Sequence, residues 1–559
     1  MMTLRDWRQR IPESAIEDFC NRVGTHAGAD KEGGRFQMME MTVGGLARSV
    51  HGTVAHTDGM GAGADGVVTS VCTDSRQACP GSLFVAIPGE RVDGHDFVAQ
   101  AAKAGAVAAL VDHEVDVEVP QVVVDDTVAA LGLVAKANIA LRRGYAVAGD
   151  GAAQTGDRQD AAQACDPAAP HPFTVIGITG SVGKTTTKDL LAAMLRTQGP
   201  TVAPVGSFNN EIGLPLTATQ VGEDTRYLVA EMGASAMGEI RYLASIVPPD
   251  VSVVLKVGVA HLGGFGSVEN IRRAKAEIVQ ALTPSGTAVL NADDPRVATM
   301  ADMTPARTVR WFGIDEANNT CDVRAQGVAV DDTDRPSFDL VAQGREQHVT
   351  LALRGRHNVM NALAATCAAL AVGVPFNDIV HVLQTQGAAS PHRMAVSTVE
   401  PPLVPAAFTL IDDSFNANPD SMKAGLDGLA AWHAGERRDR PFRVAVLGSM
   451  LELGADDDAK HRDIGAYCAR LGIDALVAVG SNTDANLDRL AADFVQGARQ
   501  ADANGRMDVA YVHSASRAAD EVARLAQAHE GSVVLLKGSH ASGLGALAER
   551  WASASAHRA

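Results

Sequence analysis

The segment VIGITGSVGKTTTKDLLAAML, residues 175–195, carries side chains and spacings suited to holding phosphate. Gly180 and Gly183 permit tight turns and close approach. Consecutive backbone N–H groups over Gly180, Ser181, Val182, Gly183, Lys184, Thr185 and Thr186 would face phosphate oxygens at a helix N-terminus. Lys184 would reach terminal phosphates, and the Thr185 hydroxyl would join a Mg2+ shell. The usual G-x-x-x-x-G-K-[ST] pattern fails at its first glycine, where Ile178 stands. A glycine turn capping a helix is the plainer alternative. The apolar β-branched run before the turn and the helical period after it favour a phosphate loop. That reading identifies phosphate binding, not a reaction.

Four later segments add polar groups. In AEMGASAMGEI, residues 230–240, Glu231 follows a buried run and reads about equally as a Mg2+ ligand or as an acid at a helix N-terminus. In VGVAHLGGFGSVENIRRAKAEIV, residues 257–279, His261 also follows an apolar run, with a structural histidine as the alternative. Lys275 lies on the helix behind it and by itself reads as a surface lysine. NADDP, residues 291–295, sets Asn291 and the Asp293–Asp294 pair where they read a base or ribose or form an Asx turn, the turn slightly favoured. RGRHNVMNALAA, residues 354–365, places Asn358 and Asn361 on one helix face, or at its cap.

The elements that must position these groups follow a repeating order. FTVIGITG, RYLVAEMG, VSVVLKVG and GTAVLN are β-branched runs that end in glycine or a polar residue and lead into helical stretches. This predicts an α/β fold with a doubly wound, mainly parallel central sheet and ligands at the strand C-termini. NALAATCAALAVG closes that central domain, expected over 172–388. Before it, SLFVAI, AVAALV and VPQVVV read as strands and TVAALGLVAKANIALR as a helix, giving an α/β domain over 38–148. RVAVLGSM, ALVAVG, VAYVHS and SVVLLKGS predict a Rossmann-like α/β domain over 389–559. Residues 1–37 read as an N-terminal extension. Residues 149–171, with little but alanine to build a core, read as a flexible linker or insertion.

A chain of 559 residues is expected to form about two to four domains. Its 48 basic and 66 acidic residues give a formal charge of -18, which argues against a nucleic-acid backbone as main partner. No apolar run approaches the ~18 residues of a membrane span, and the first residues lack the apolar core of a secretory signal. The seven cysteines are scattered. Cys72 and Cys79 could be a metal pair, but no second pair or histidine lies at ligand spacing. Reduced thiols in a cytoplasmic, monomeric protein without stable membrane insertion are expected.

Together these segments resemble the Mur ligases of peptidoglycan synthesis, whose phosphate loop is commonly T-G-x-x-G-K-T. Thr179, Gly180, Gly183, Lys184 and Thr185 match that form, which accounts for Ile178. FNNEIGLP at 208–215, EMGASAMGEI, AHLGGFGS and GRHNVMN match as well. The likeness runs from about residue 39 to near the C-terminus, broken at 149–171. IDDSFNANPDSM at 411–422 resembles the D-D-S-[YF]-N-A-N-P segment of the family member that adds D-alanyl-D-alanine to UDP-N-acetylmuramoyl-tripeptide. The member that adds the third amino acid would show tyrosine–alanine–histidine there and a later D-N-P-R; neither is present. VLGSMLELG at 446–454 and VLLKGSHA at 534–541 agree with the first of these.

The resemblance implies a UDP-sugar site in the first domain, ATP in the second and the amine substrate in the third. TDSRQACPGSLFVAIPGERVDGHDF, residues 73–97, supplies Asp74, Ser75 and Arg76 as substrate positions. Asn209, Asn210, Asp413, Asn416 and Asn418 join them as substrate candidates. For ATP it implies Asn291, Asp294, Asn358, Asn361 and, from SPHRM, the domain-boundary Arg393, beside the phosphate loop. It also implies catalytic roles for Lys184, Glu231, His261 and Lys275. Mg2+ would be held by Thr185, Glu231, His261 and, if carbamylated, Lys275. Ser449 and His540 depart from the family pattern, which is usually acidic or amide-bearing at the first and often arginine at the second.

The implied reaction is carboxylate phosphorylation by ATP, then attack by the amine on the acyl phosphate. Alternatives are another Mur or folylpolyglutamate-type amide ligase, or a P-loop kinase or NTPase, which would leave the terminal domains without a role.

Overall fold

The computed structural model describes residues 37–56, 63–89, 92–144, 172–314, 321–433, 440–454 and 456–556. The expected extension over 1–37, apart from its last residue, and the expected linker over 149–171 lie outside them. Two compact units form. Met1–Gly177, Gly199–Met232 and Tyr242–Pro249 make the first, and Ile178–Gln198, Gly233–Arg241 and Asp250–Ala559 the second. The division falls within the strand Thr174–Thr179, so each unit owns part of it.

In the first unit a five-stranded sheet runs Thr53–Ala55, Gln121–Val123, Ala108–Val111, Ser82–Val85, Ser70–Cys72. The first pair is antiparallel and the others parallel. The inner strands Ser82–Val85 and Ala108–Val111 are buried at every position, as parallel strands covered on both faces require. Helix Thr127–Arg142 starts where the Asp126 carboxylate accepts the Val128 and Ala129 N–H groups. Its Leu131 and Val134 join Leu83, Leu110 and Val122 in one core. Asn138, fully buried on the same helix, accepts from Met39 N–H at 2.9 Å and donates to the Ala218 and Val221 carbonyls at 2.9 and 2.8 Å. One amide thus satisfies three backbone groups that burial would otherwise leave unpaired. The same unit carries Tyr227–Glu231, parallel to Thr201–Val202.

In the second unit one sheet runs Arg345–Thr350, Pro336–Ala342, Val323–Val330, Thr308–Gly313, Thr287–Asn291, Val251–Val254 and then the end of Thr174–Thr179. From Val251–Val254 to Val323–Val330 the pairs are parallel, and the last three strands form an antiparallel meander. The other sheet runs Ala395–Val399, Phe408–Asp412, Val533–Lys537, Arg443–Gly448, Ala475–Val479, Asp508–Val512. Only its first pair is antiparallel. Its two faces are covered by separate apolar cores, one around Leu426, Leu447 and Phe494, the other around Phe408, Val477 and Trp551.

The expected α/β fold with mainly parallel sheets is therefore present. The antiparallel strands Val323–Val330, Pro336–Ala342 and Arg345–Thr350 had no counterpart in the reading above. Their signal is alternation: PSFDLVA over 336–342 alternates buried and half-buried side chains, a period of two rather than a continuous apolar run.

Candidate active site

The phosphate loop belongs to the second unit from Ile178 onward. Strand Thr174–Thr179 ends at Gly180, and helix Lys184–Arg196 starts directly after Gly183. Gly183 has φ +84°, and a Cβ there would stand 2.2 Å from Asn361 Oδ1, so both conformation and space require glycine. The loop is tied down on the neighbouring strand end: Ser181 N–H donates to Lys256 O at 2.8 Å, and Ser181 Oγ accepts from Gly258 N–H at 2.9 Å. Lys184 folds back so that Nζ donates to Gly180 O at 2.9 Å. These contacts place a cation and a helix N-terminus around one loop, an arrangement suited to phosphate.

Other expected residues of this unit gather at the loop. Arg393 Nη2 donates to Thr185 Oγ1 at 3.1 Å, and its guanidinium lies over the Phe415 ring at 4.1 Å. Asn361 Nδ2 donates to Asn358 Oδ1 at 2.7 Å and Asn358 Nδ2 to Arg354 O at 2.6 Å, at the start of helix Asn358–Ala371. Thr186, Asn358 and Arg393 line one small cavity together with Asp189.

Lys275, far from being a surface lysine, is 3% exposed on helix Val268–Gln280. Burial pushes its amine down to about 7, and the Lys184 charge adds to that while Glu239 opposes it. Burial also raises the Glu239 carboxyl, although Ser235 N–H and Oγ hydrogen-bond to it at 2.6 and 3.0 Å. His261, at φ +57°, has Nδ1 bonded to Glu452 Oε2, and this bond holds the Glu452 carboxyl below its usual range.

Asn291 and Asp294 have local work. Asn291 donates to Leu255 O at 2.7 Å and accepts from Asp293 N–H at 2.9 Å. Asp294 caps helix Pro295–Ala298 and accepts from Val257 N–H at 2.8 Å. The slightly favoured turn is what forms, and its bonds hold the loop after the neighbouring strand. Asp413 Oδ2 pairs with the buried Lys537 at 2.5 Å. Asn416 is exposed and accepts from Ala417 N–H at 2.8 Å. Asn418 is the N-cap of helix Pro419–Ala431 in a capping box with Ser421, so its side chain is engaged in the fold.

In the first unit Glu231 ends strand Tyr227–Glu231 and is fully buried. Its Oε1 accepts from Ser207 Oγ at 2.9 Å and Asn209 Nδ2 at 2.7 Å, whereas Oε2 has no hydrogen-bond partner among the described residues. A buried carboxylate oxygen left this way fits a cation ligand. Asn210 instead accepts from Gly213 N–H at 2.9 Å, at the start of helix Gly213–Ala218. Asp74 accepts from Arg76 N–H at 2.9 Å and Arg76 Nη2 at 2.7 Å, and Ser75 Oγ donates to Gln100 Oε1 at 3.1 Å. Burial works to raise the Asp74 carboxyl, but the Arg76 bonds outweigh it and hold it below the usual range.

Three family descriptions match this chain: "Mur ligase family, catalytic domain" over residues 67–154, "Mur ligase middle domain" over 178–369, and "Mur ligase, glutamate ligase domain" over 392–540. The UDP-N-acetylmuramoyl-tripeptide--D-alanyl-D-alanine ligase of Mycobacterium tuberculosis (strain ATCC 25618 / H37Rv) is 42% identical over 92% of this chain and 98% of its own length. The chain belongs to the Mur ligase family. The ligase of the same name from Escherichia coli (strain K12) is 34% identical over 76% of this chain and 84% of its own. Crystal structure I of MurF from Acinetobacter baumannii superposes with a TM-score of 0.73 at 31% identity, covering 92% of this chain and 99% of that one.

The two departures from the Mur ligase pattern have different surroundings. Ser449 is buried and donates to Leu487 O at 3.0 Å, which makes it a packing group. His540 is exposed. The residues that sequence reasoning missed are those that act on other side chains: Ser207 on Glu231, Glu452 on His261, Glu239 beside Lys275, and Asp412 and Glu549 on His392. No spacing rule links such partners, because they meet only in the folded chain. Lys275 did carry a signal. Ile271, Ala274, Lys275 and Ile278 recur at helical spacing, so the lysine falls within a buried stripe.

Proposed function

We propose that this Mur ligase joins D-alanyl-D-alanine to UDP-N-acetylmuramoyl-tripeptide with cleavage of ATP to ADP and phosphate, giving UDP-N-acetylmuramoyl-pentapeptide for peptidoglycan synthesis. The observation that carries the assignment is the 42% identity to a ligase of that name along 98% of its length. The segment IDDSFNANPDSM supports the choice of amine substrate. On this reading residues 38–148 take the UDP-sugar end, 172–388 take ATP and 389–559 bring the dipeptide.

A carboxylate resists amine attack because its leaving oxygen carries charge. The tripeptide carboxylate therefore attacks the γ-phosphorus of ATP, breaking the bond to the β–γ bridging oxygen and releasing ADP. The dipeptide amine then adds to the acyl phosphate carbonyl, and the tetrahedral intermediate expels phosphate and loses the amine proton. Lys184 and the loop N–H groups spread charge on the transferring phosphoryl. Arg393, held on Thr185, adds a second cation at the same phosphates.

Mg2+ would supply further charge neutralisation at the phosphate oxygens. Within the second unit Thr185 and His261 are its candidate ligands; with Nδ1 taken by Glu452, His261 offers Nε2. In the first unit the unpartnered Oε2 of Glu231 has the chemistry of a ligand. An amine pushed down to about 7 is substantially neutral at physiological pH, the form that adds CO2. Carbamylation of Lys275 would replace a buried cation beside Lys184 with an anion, which supports its place among the metal ligands.

A donor panel tests the assignment. UDP-N-acetylmuramoyl-tripeptide is offered with D-alanyl-D-alanine, D-alanine, meso-diaminopimelate, L-lysine or L-glutamate, and ADP release is followed. Turnover confined to the dipeptide is expected. Preferred use of a single amino acid would assign the chain to another ligase of the family.

A further inference from the structure

Arg393 stands between two residues whose backbone is left-handed, His392 at φ +60° and Met394 at φ +52°. Neither is glycine, so surrounding contacts must hold this turn in place. Met394 is buried in the apolar core with Ile411 and Trp432. His392 is 3% exposed and is clamped from two elements. Nδ1 lies 2.8 Å from Asp412 Oδ2 at the end of strand Phe408–Asp412, and Nε2 lies 3.2 Å from Glu549 Oε1 on helix Leu544–Ala556. Ser414 Oγ donates to the other Asp412 oxygen at 2.6 Å, which fixes that carboxylate against the ring.

The segment is anchored on its other side too. Ser390 N–H donates to Asp189 Oδ2 at 3.1 Å, and the buried Lys188 pairs with Asp189 at 2.6 Å, both on the phosphate-loop helix. Residues 390–393 thus run from the phosphate-loop helix to a histidine held by the last sheet and last helix. Arg393 turns back from that anchor to Thr185.

We infer that His392 is a positioning residue: its two-carboxylate clamp fixes the turn that aims Arg393 at the ATP phosphates. With two carboxylates facing it, the ring favours the imidazolium form; burial opposes the charge, but the Asp412 and Glu549 bonds outweigh it and raise the proton affinity. Charged, the ring donates from both nitrogens. Neutral, it keeps one donor and releases one carboxylate, which loosens the turn. The inference rests on the reading that Arg393 meets ATP.

A binding cycle tests it without requiring turnover. Fluorescence titration with mant-ATP and Mg2+ is run on the full chain as wild type, His392→Gln, Arg393→Ala and the double variant, each checked by thermal melting. Each single change should weaken mant-ATP binding roughly tenfold, the scale of one charge-assisted hydrogen bond. The double variant should lose no more than about twofold beyond either single, because both remove one contact. Additive losses, or a His392→Gln affinity equal to wild type, would overturn the inference. If His392→Gln does not fold, Glu549→Gln decides: that carboxylate is 66% exposed and its loss spares the core. Its mant-ATP affinity should fall at lower pH than that of wild type, and identical pH profiles would overturn the inference. A wild-type chain that does not bind mant-ATP overturns the nucleotide reading along with it; normal wild-type binding with unchanged variants overturns this inference alone.

Discussion

Arg393 Nη2 reaches Thr185 Oγ1 at 3.1 Å across 208 residues of chain. Thr185 is the second residue of the helix that follows the phosphate loop, and Arg393 lies in the segment leading into the strand Ala395–Val399. The hydroxyl proposed for the metal shell is thereby held by the cation proposed for the phosphates.

Lys184→Ala should cut turnover by roughly 100-fold or more, since charge stabilisation at a transferring group is commonly worth that much. Its melting temperature should stay within a few degrees of wild type, because the bond from Nζ to Gly180 O lies within its own loop. Steady-state ADP release with a parallel thermal melt checks both. Turnover near wild type would remove Lys184 from the mechanism.

Gly183→Ala should damage binding and fold together. A left-handed φ for alanine costs on the order of 1–2 kcal/mol, and the methyl would meet Asn361 Oδ1 at 2.2 Å. A lowered melting temperature with mant-ATP binding weakened at least about tenfold is expected, the equivalent of that strain. Unchanged binding would mean that the loop tolerates another backbone path.

Lys275 should leave a pH signature in stability. Its folded amine titrates at about 7, whereas the unfolded amine does so in the ordinary lysine range. Between those values the unfolded chain binds the extra proton, so this contribution to stability rises with pH across that window; below about 7 the buried charge is fully destabilising. In buffer purged of CO2, Lys275→Met should melt several degrees higher than wild type at pH 7, with the gap narrowing toward pH 10. Melting curves over that range test this. A gap that widens with pH would contradict it.

Glu231→Gln removes charge from a buried carboxylate, one of whose oxygens has no partner among the described residues. The Mg2+ concentration for half-maximal turnover should rise roughly tenfold or more, as for loss of a charged metal partner. Ser207→Ala, which removes one bond to Oε1, should have a smaller effect in the same direction. Titration of MgCl2 at saturating ATP measures it, and an unshifted midpoint would exclude Glu231 as a ligand.

The strands were legible where they are buried on both faces, because apolar, mostly β-branched residues dominate VSVV and RVAVLG. Those half-exposed in the meander over 323–350 were not, since their alternation is diluted by charged residues such as REQHVT. The strand, glycine turn and helix around Gly180–Gly183 were legible because their signals lie in consecutive residues. Asn418 was read as a substrate candidate although an asparagine directly before proline also marks a helix start, and that local signal is what the structure displays. The clamp on His392 was not legible, because Asp412 and Glu549 lie 20 and 157 residues away.

The most direct measurement combines purified chain, ATP, Mg2+ and UDP-N-acetylmuramoyl-tripeptide, with and without D-alanyl-D-alanine, and follows ADP and the UDP-linked product by mass. The account predicts that ADP and UDP-N-acetylmuramoyl-pentapeptide accumulate in equal amounts only when the dipeptide is present. Failure to form pentapeptide with every substrate supplied, or ADP release indifferent to the dipeptide, would contradict it.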